Sequence, residues 1–179
     1  MLNFFIYNIM SEENFERSLE INKSEASAIS EKVSVWWKEI SAQANSAASP
    51  GKLYAIGNYL VVLVKNSLSD GKSDGKVTAI FDEEKITVLI EDFGSEDREI
   101  NLNIGGEYGL KEIIEYADDL FIEANGSFYE KNRRNQMEET DDSDLRTGSK
   151  VTLIKYIGAK PVGEQEEEYR AKRNFAERM

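Results

Sequence analysis

The sequence predicts an α+β fold in which helices are layered on one face of a mixed, mainly antiparallel sheet. Segments with helical and strand periodicity follow one another in the order strand, helix, helix, strands, helix, strands. Several of the strand segments are separated only by short turns, which favours antiparallel hairpins. The chain has 179 residues, enough for one domain with a sizeable buried core.

The first third of the chain carries one strand and two helices. Residues 15–23, FERSLEINK, alternate enough between polar and apolar side chains to predict a strand. Residues 24–44 open with Ser24 and place apolar residues at helical spacing, which predicts a helix. After the break SAASPGK, residues 53–68 show a second helical stripe.

The middle of the chain predicts a hairpin with one core face. KVTAIF (76–81) and KITVLIEDF (85–93) both alternate and are joined by the short segment DEE. Asp92 is in phase with Ile90 and Val88, so its carboxylate is expected to point inward, where it needs a partner.

The last part of the chain predicts one more helix and further strands. Residues 109–120 have helical spacing, residues 121–131 form a hairpin around Asn125-Gly126, and residues 150–158 form a strand. The highly charged segment 131–147 contains few apolar residues, and we expect it to be disordered.

These elements predict a single domain over residues 15–160. Residues 1–14 are interpreted as an N-terminal extension or edge segment. Residues 161–179 are interpreted as a charged helix or tail with a thin apolar stripe.

Composition excludes several chemistries. The chain contains no cysteine and no histidine, which rules out thiolate zinc sites, cysteine nucleophiles and Ser-His-Asp arrangements. A formal net charge of −12 repels phosphate backbones and argues against nucleic-acid binding. No apolar run reaches the ~18 residues of a membrane span, and no signal peptide is evident, so we expect no membrane contact and a cytoplasmic location.

Four features could mark a ligand site, although each has an ordinary explanation. Asn66 lies in the apolar second helix, where it is either a satisfied amide or a ligand contact. Asp92-Phe93-Gly94 ends a strand with a turn glycine. GGEYGL (105–110) leads into a helix N-terminus that could hold an anion. TGSKVTL (147–153) is a Gly-Ser turn entering a strand.

The order of these four features resembles the GHKL (Bergerat-fold) ATPase superfamily, which includes histidine kinases, gyrase and anti-sigma-factor serine kinases. The match runs from about Phe15 to Ile157. Length and the N-terminal strand-helix-helix order look most like the anti-sigma serine kinases of bacterial partner-switching systems. The resemblance implies the Bergerat fold, with ATP and Mg²⁺ as ligands.

The resemblance also implies a role for each candidate residue. Asn66 would coordinate Mg²⁺, and Asp92 would accept a hydrogen bond from the adenine amino group. Gly94 would let the base approach the backbone. Ser149 would lie near adenine, where the family usually has threonine. The segment that cradles phosphates would contain Gly106, Gly109 and Leu110.

Two positions depart from the family pattern. The kinases carry a glutamate as general base four residues before the Mg²⁺ asparagine, and Val62 stands there in this chain. No acidic residue occurs between Glu39 and Asp70, so the helix offers no substitute. Glu96 replaces the last glycine of the Asp-x-Gly-x-Gly box.

Three functions follow as alternatives. The chain is an ATP-binding regulator of the anti-sigma or serine-kinase type that controls a protein partner, such as a sigma factor or an anti-sigma antagonist. Alternatively, it is an inactive pseudokinase that serves as a scaffold, or an unrelated α+β interaction module. The resemblance also implies a homodimer, to which an exposed indole of Trp36 or Trp37 could contribute if the two are not both buried.

Overall fold

A computed structural model of the protein describes residues 15–44, 49–67, 73–94, 110–124, 126–142, 145 and 147–158. A 3-10 helix, Lys23–Ala28, precedes the first α-helix. The three α-helices are α1 (Ile29–Ala44), α2 (Pro50–Ser67) and α3 (Leu110–Tyr116). The strands are β1 (Phe15–Ile21), β2 (Gly75–Phe81), β3 (Lys85–Asp92), β4 (Asp119–Ala124), β5 (Ser127–Lys131), β6 (Met137–Asp142) and β7 (Ser149–Tyr156).

The strands form one seven-stranded sheet in the order β1-β2-β3-β7-β4-β5-β6. The expected α+β class is confirmed, but every pairing among the described strands is antiparallel, so no parallel strand makes this a mixed sheet. The last strand, β7, lies at the centre, between the β2-β3 hairpin and the β4-β5-β6 meander.

One face of the sheet packs against the helices. Alternate residues of β2, β3, β4 and β7 are buried together with the inner faces of α1, α2 and α3 in a single hydrophobic cluster. The period-2 alternation read from the sequence therefore marks the core face correctly. Asp92 shares that face and is 3% exposed, as its phase predicted.

The first two helices begin at other residues than the sequence predicts. The 24–44 segment begins as a 3-10 helix with Glu25 outside helical geometry, and the α-helix starts only at Ile29. The second helix begins at Pro50, earlier than the predicted residue 53. Proline is favoured in the first helical turn, and the carbonyl of Ser49 accepts hydrogen bonds from Lys52 N and Leu53 N.

The predicted helix 109–120 is wrong in its last part, because α3 ends at Tyr116. Asp118 N donates to Ile154 O over 3.0 Å, and the Asp118 carboxylate accepts Tyr156 N at 2.8 Å and Lys155 Nζ at 3.1 Å. These bonds hold the chain against β7, so residues 119–124 become a strand instead of a further helical turn.

The expectation of disorder across 131–147 is also wrong where that segment is described. Residues 137–142 form β6, which pairs with β5. The side chain of Asn132 closes the turn by accepting Arg134 N at 2.8 Å and Gln136 N at 3.0 Å. Backbone pairing and an asparagine turn build this hairpin, and neither leaves an apolar pattern in the sequence.

Both indoles at Trp36 and Trp37 are buried, at 7% and 5% exposed, so the suggestion of an exposed indole is wrong. The Trp37 ring centroid lies 5.9 Å from that of Phe81, and its Nε1 donates to Leu53 O over 2.8 Å. This removes the local support for a dimer through these residues.

Candidate functional site

The candidate site begins at Asp92, the last residue of β3. Its Oδ1 accepts the backbone N–H of Gly94 over 2.8 Å, which turns the chain sharply at the end of the strand. Phe93 N donates to Asp74 O over 3.0 Å, and its ring is 58% exposed. A nearly fully buried carboxylate therefore sits at one end of the sheet, next to a turn that reaches the surface.

Small residues lie on both flanks of Asp92. Its cross-strand neighbours are Gly75 on β2 and Ser149 on β7. No bulky side chain from these two strands stands opposite the carboxylate. The sequence-predicted pair Asp92 and Ser149 is thus brought together by the register of β3 against β7.

Gly148 makes this close approach of β7 to β3 feasible. It has φ of +74°, and a Cβ built there would lie 2.1 Å from Asp92 O and 3.5 Å from Gly94 O. Only glycine fits this position without displacing the backbone next to Asp92. Gly148 was missed as a site residue, although the turn TGS immediately before the strand was visible in the sequence.

The first turn of α2 is fixed at the end of the sheet opposite Asp92. Lys52, in the first turn of α2, donates through Nζ to Tyr156 O at 3.0 Å and also to Ile157 O, at the far end of β7. Helix α2 contacts β3 and β7 and has 18 residues, about 27 Å, close to the ~26 Å of β7. Helix α2 is therefore long enough for its last turn, with Asn66, to reach the end where β7 begins at Ser149.

Helix α3 contacts α2 through Tyr116. The rings of Tyr59 and Tyr116 have centroids 4.9 Å apart, and the Tyr116 hydroxyl donates to Lys52 O over 3.1 Å. Burial, with smaller effects from Asp118 and Tyr59, raises the pKa of Tyr116 to about 12. The last residue of α3, Tyr116, therefore lies near the start of α2. Leu110 is the first residue of α3.

Val62 lies on the flank of α2 that faces α3. It follows Tyr59 by three residues and precedes Asn66 by four, so the three share one side of the helix. Val62 is half-buried against the core. The position expected for a general base is therefore an apolar contact.

Some predicted site residues lie outside the described part of the chain. These are Gly106 and Gly109, together with Glu96. Asn66 and Leu110 are described only as helical positions, so their side-chain contacts stay predictions.

No group of three or more acidic, histidine or cysteine side chains able to hold a metal occurs among the described residues. The described helices include none with the length and apolar character needed to cross a bilayer. No protein-family model matches the chain, and neither does any curated protein.

Proposed function

We propose that this protein is an ATP-binding regulator of the anti-sigma-factor or serine-kinase type, which acts in the bacterial cytoplasm and controls a protein partner. The observation that carries the proposal is Asp92, a carboxylate 3% exposed at the end of an interior strand, opposite Gly75 and Ser149. The resemblance to the GHKL superfamily supports the proposal too, because it implies that Asp92 contacts adenine.

The chemistry of Asp92 fits recognition of an adenine base. A carboxylate offers about four acceptor positions on its two oxygens, so Asp92 can accept from several donors at once, of which the Gly94 N–H is one and an adenine amino group would be another. Bonds to a buried carboxylate are charge-assisted and therefore strong. Gly94, with no side chain, gives the edge of the base a close path to the backbone.

The position of Asn66 fits a cation that arrives with phosphates. It lies in the last turn of α2, where the helix dipole is negative and favours a positive ion. Mg²⁺ commonly takes one or two protein oxygens and completes its shell with phosphates and water. Asn66 would hold Mg²⁺, while Gly106, Gly109 and Leu110 would contact the phosphates.

A nucleotide-binding scaffold without phosphoryl transfer is a second candidate. It is favoured by Val62 and by the lack of any acidic residue in α2. Without a general base, the transfer step loses about 10²–10⁴-fold in rate. In that case the nucleotide would set the conformation presented to a partner and would not be consumed.

Calorimetric titration of the full chain with ATP and ADP, with and without Mg²⁺, tests the proposal. We expect binding at micromolar nucleotide that strengthens with Mg²⁺. Absence of binding at millimolar nucleotide would leave a partner-binding scaffold that needs no nucleotide, or an unrelated α+β interaction module.

Replacement of Asp92 tests the site itself. Asp92→Asn keeps an oxygen acceptor for Gly94 N, but it presents an amide to adenine and is expected to weaken ATP binding at least tenfold. Asp82→Asn is the matched control, because Asp82 Oδ1 likewise accepts backbone N–H groups, from Glu84 at 2.9 Å and Lys85 at 2.7 Å, at the other end of the same hairpin. Equal ATP affinity in the two variants would show that Asp92 does not contact the base.

A further inference from the structure

The face of the sheet that is turned away from the helices carries a band of apolar side chains. Five large apolar residues on this outer face are only partly buried, and none of them belongs to the core cluster. They lie on five neighbouring strands, β2, β3, β7, β4 and β5. In the order of the sheet they are Ile80, Leu89, Ile154, Phe121 and Phe128.

The strand register makes this band continuous. Ile80 and Leu89 are offset by two residues across the β2-β3 pair, and the same diagonal step leads from Leu89 to Ile154. A further diagonal step leads to Phe121, whose ring centroid lies 5.9 Å from that of Phe128. Diagonal neighbours on one face are within reach of long side chains. The band therefore crosses four inter-strand spacings, or about 19 Å.

The band is uncharged where it crosses β2, β3 and β7, because threonines occupy the positions between its apolar members. Charged residues form a row beside it, towards the end of the sheet that carries Asp92, and there Lys150 pairs with Glu123 at 3.2 Å. An apolar patch with a polar rim marks an interaction surface. The described helices all pack on the core face, so the partner of this patch is another part of the chain or another molecule.

The segment that precedes β1 has a composition that matches the band. Residues 1–10, MLNFFIYNIM, contain no charged side chain, and all except Asn3 and Asn8 are apolar or aromatic. Residues 11–14, SEEN, are polar. Removal of such an apolar segment from water onto an apolar surface is favourable.

The point where the chain enters the sheet brings this segment to the band. Phe15 begins β1 opposite Phe81, and Glu16 lies opposite Ile80, the first member of the band. Because β1 is an edge strand, the preceding residues can pass around it without crossing another strand. Residues 11–14 supply about 13 Å of chain for this turn. Ten residues span about 15 Å as a helix and about 33 Å when extended, so residues 1–10 can cover most or all of the band.

We propose that residues 1–10 dock on this apolar band and form a third layer of the domain, on the face opposite the helices. The segment and the band agree in length, in apolar character and in lack of charge. The proposal does not depend on nucleotide binding, because Asp92 lies on the other face of the sheet.

A groove between α1 and α2, on the outer surface of the helical layer, fits the segment less well. Its lining includes Trp37, Lys38, Leu53 and Val61. Trp37 and Leu53 are only 5% and 2% exposed, so covering them removes little apolar surface from water. The exposed Lys38 would find no charged partner on residues 1–10.

A second copy of the chain is the other rival occupant of the band. Residues 1–10 are joined to the sheet by a short polar linker, which gives an effective concentration in the millimolar range. A second molecule in dilute solution is far less concentrated. The segment of the same chain is therefore favoured over a second copy.

Cross-linking tests the position of the segment directly, because the chain has no cysteine of its own. Phe5→Cys is combined with Thr152→Cys in the centre of the band, or with Ala42→Cys in the groove as the matched control. A short bismaleimide is added to dilute full-length protein without nucleotide, and the intramolecular product is quantified by intact mass. We expect the band pair to react at least tenfold faster than the groove pair. Equal rates, or a faster groove pair, would overturn the proposal.

Proteolysis gives a second readout that leaves the segment itself unchanged. Thr152→Glu places a charge in the band and is expected to accelerate chymotryptic cleavage within residues 1–10 at least tenfold. Thr140→Glu is the matched control, because Thr140 is exposed on the edge strand β6 and should leave the cleavage rate unchanged. Equal cleavage rates in the wild type and both variants would contradict docking on the band.

Two further measurements distinguish the rival occupants. We expect Thr152→Glu to leave the oligomeric state unchanged in sedimentation, and a wild-type dimer that this variant dissociates would assign the band to a second copy. We also expect the wild type not to sediment with phosphatidylcholine vesicles. Vesicle binding that Phe5→Asp abolishes would assign residues 1–10 to lipid, and either of these results would overturn the proposal.

Discussion

At the scale of single residues, two glycines control how closely main chain and side chains approach. Gly148 lets β7 begin against the carbonyl of Asp92, and Gly57 lets the Trp37 indole rest on α2. Gly148 thus sets how closely β7 approaches the candidate nucleotide site, and Gly57 sets how closely α1 packs against α2. Neither position is distinguishable from an ordinary turn or helix glycine in the sequence.

Gly148→Ala is expected to destabilise the protein by at least ~2 kcal/mol, because its Cβ meets backbone atoms at a positive φ. Chemical denaturation followed by the two tryptophans measures this loss. Gly158→Ala is the control, since a Cβ there has open space around it. A Gly148→Ala variant as stable as the control would mean that the backbone where β7 meets the end of β3 relaxes easily.

At the scale of elements, α2 has different contacts on each of its sides. Its inner face is buried over β3 and β7, one flank contacts α3 through Tyr59, and the outer flank with Val61 lines the groove beside α1. A charge placed on one flank should therefore affect only the function of that flank. This separation permits a direct comparison of two neighbouring positions.

Val62→Glu would restore a carboxylate at the position expected for a general base. If ATP binds as proposed, the variant should release phosphate slowly while the wild type releases none that is measurable. Val61→Glu places the same charge on the flank of α2 that lies beside α1, and this variant should remain inactive. Bound ATP without turnover in Val62→Glu would favour the scaffold over the latent kinase.

At the scale of the whole molecule, lysines join the helical layer to the sheet at the end opposite Asp92. Lys52 binds the carbonyls of Tyr156 and Ile157, and Lys155 binds Tyr116 O at 2.8 Å. The Lys155 ammonium also lies 4.6 Å from the centre of the Tyr116 ring. The Tyr116 hydroxyl completes this junction by donating to Lys52 O. Loss of the hydroxyl proton is therefore expected to lower the stability of the whole fold.

The free energy of unfolding should depend on pH through ionisation of the Tyr116 hydroxyl. Its pKa is raised to about 12 by burial, against about 10 in an unfolded chain. The protonated side chain therefore contributes stability that is fully present below pH ~10 and is lost as the pH rises through about 12. Tyr116→Phe should lower the melting temperature at pH 8 through loss of one hydrogen bond, worth about 1 kcal/mol. It should also flatten the decline between pH ~10 and 12.

Melting curves of wild type, Tyr116→Phe and Tyr54→Phe across that pH range provide the comparison. Tyr54 is the control because its ring is largely exposed. Parallel declines in all three proteins would show that other groups control alkaline unfolding.

The sequence by itself determined the elements that carry a strong hydrophobic period. Strand alternation in β2 and β3, and helical spacing in α1 and α2, follow from which side chains must leave water. The same reasoning placed Asp92 on the core face and identified the turn that begins β7. Local pattern suffices here because burial of one face dominates the energy of these elements.

Only the tertiary structure decided which elements become neighbours. The central position of β7 brings Ser149 opposite Asp92, and backbone pairing forms β6 from a charged segment. Asp118 ends α3 early through bonds to β7, and Gly57 lets the Trp37 indole pack against the backbone of α2. These features arise from contacts between residues far apart in the chain, which no local period records.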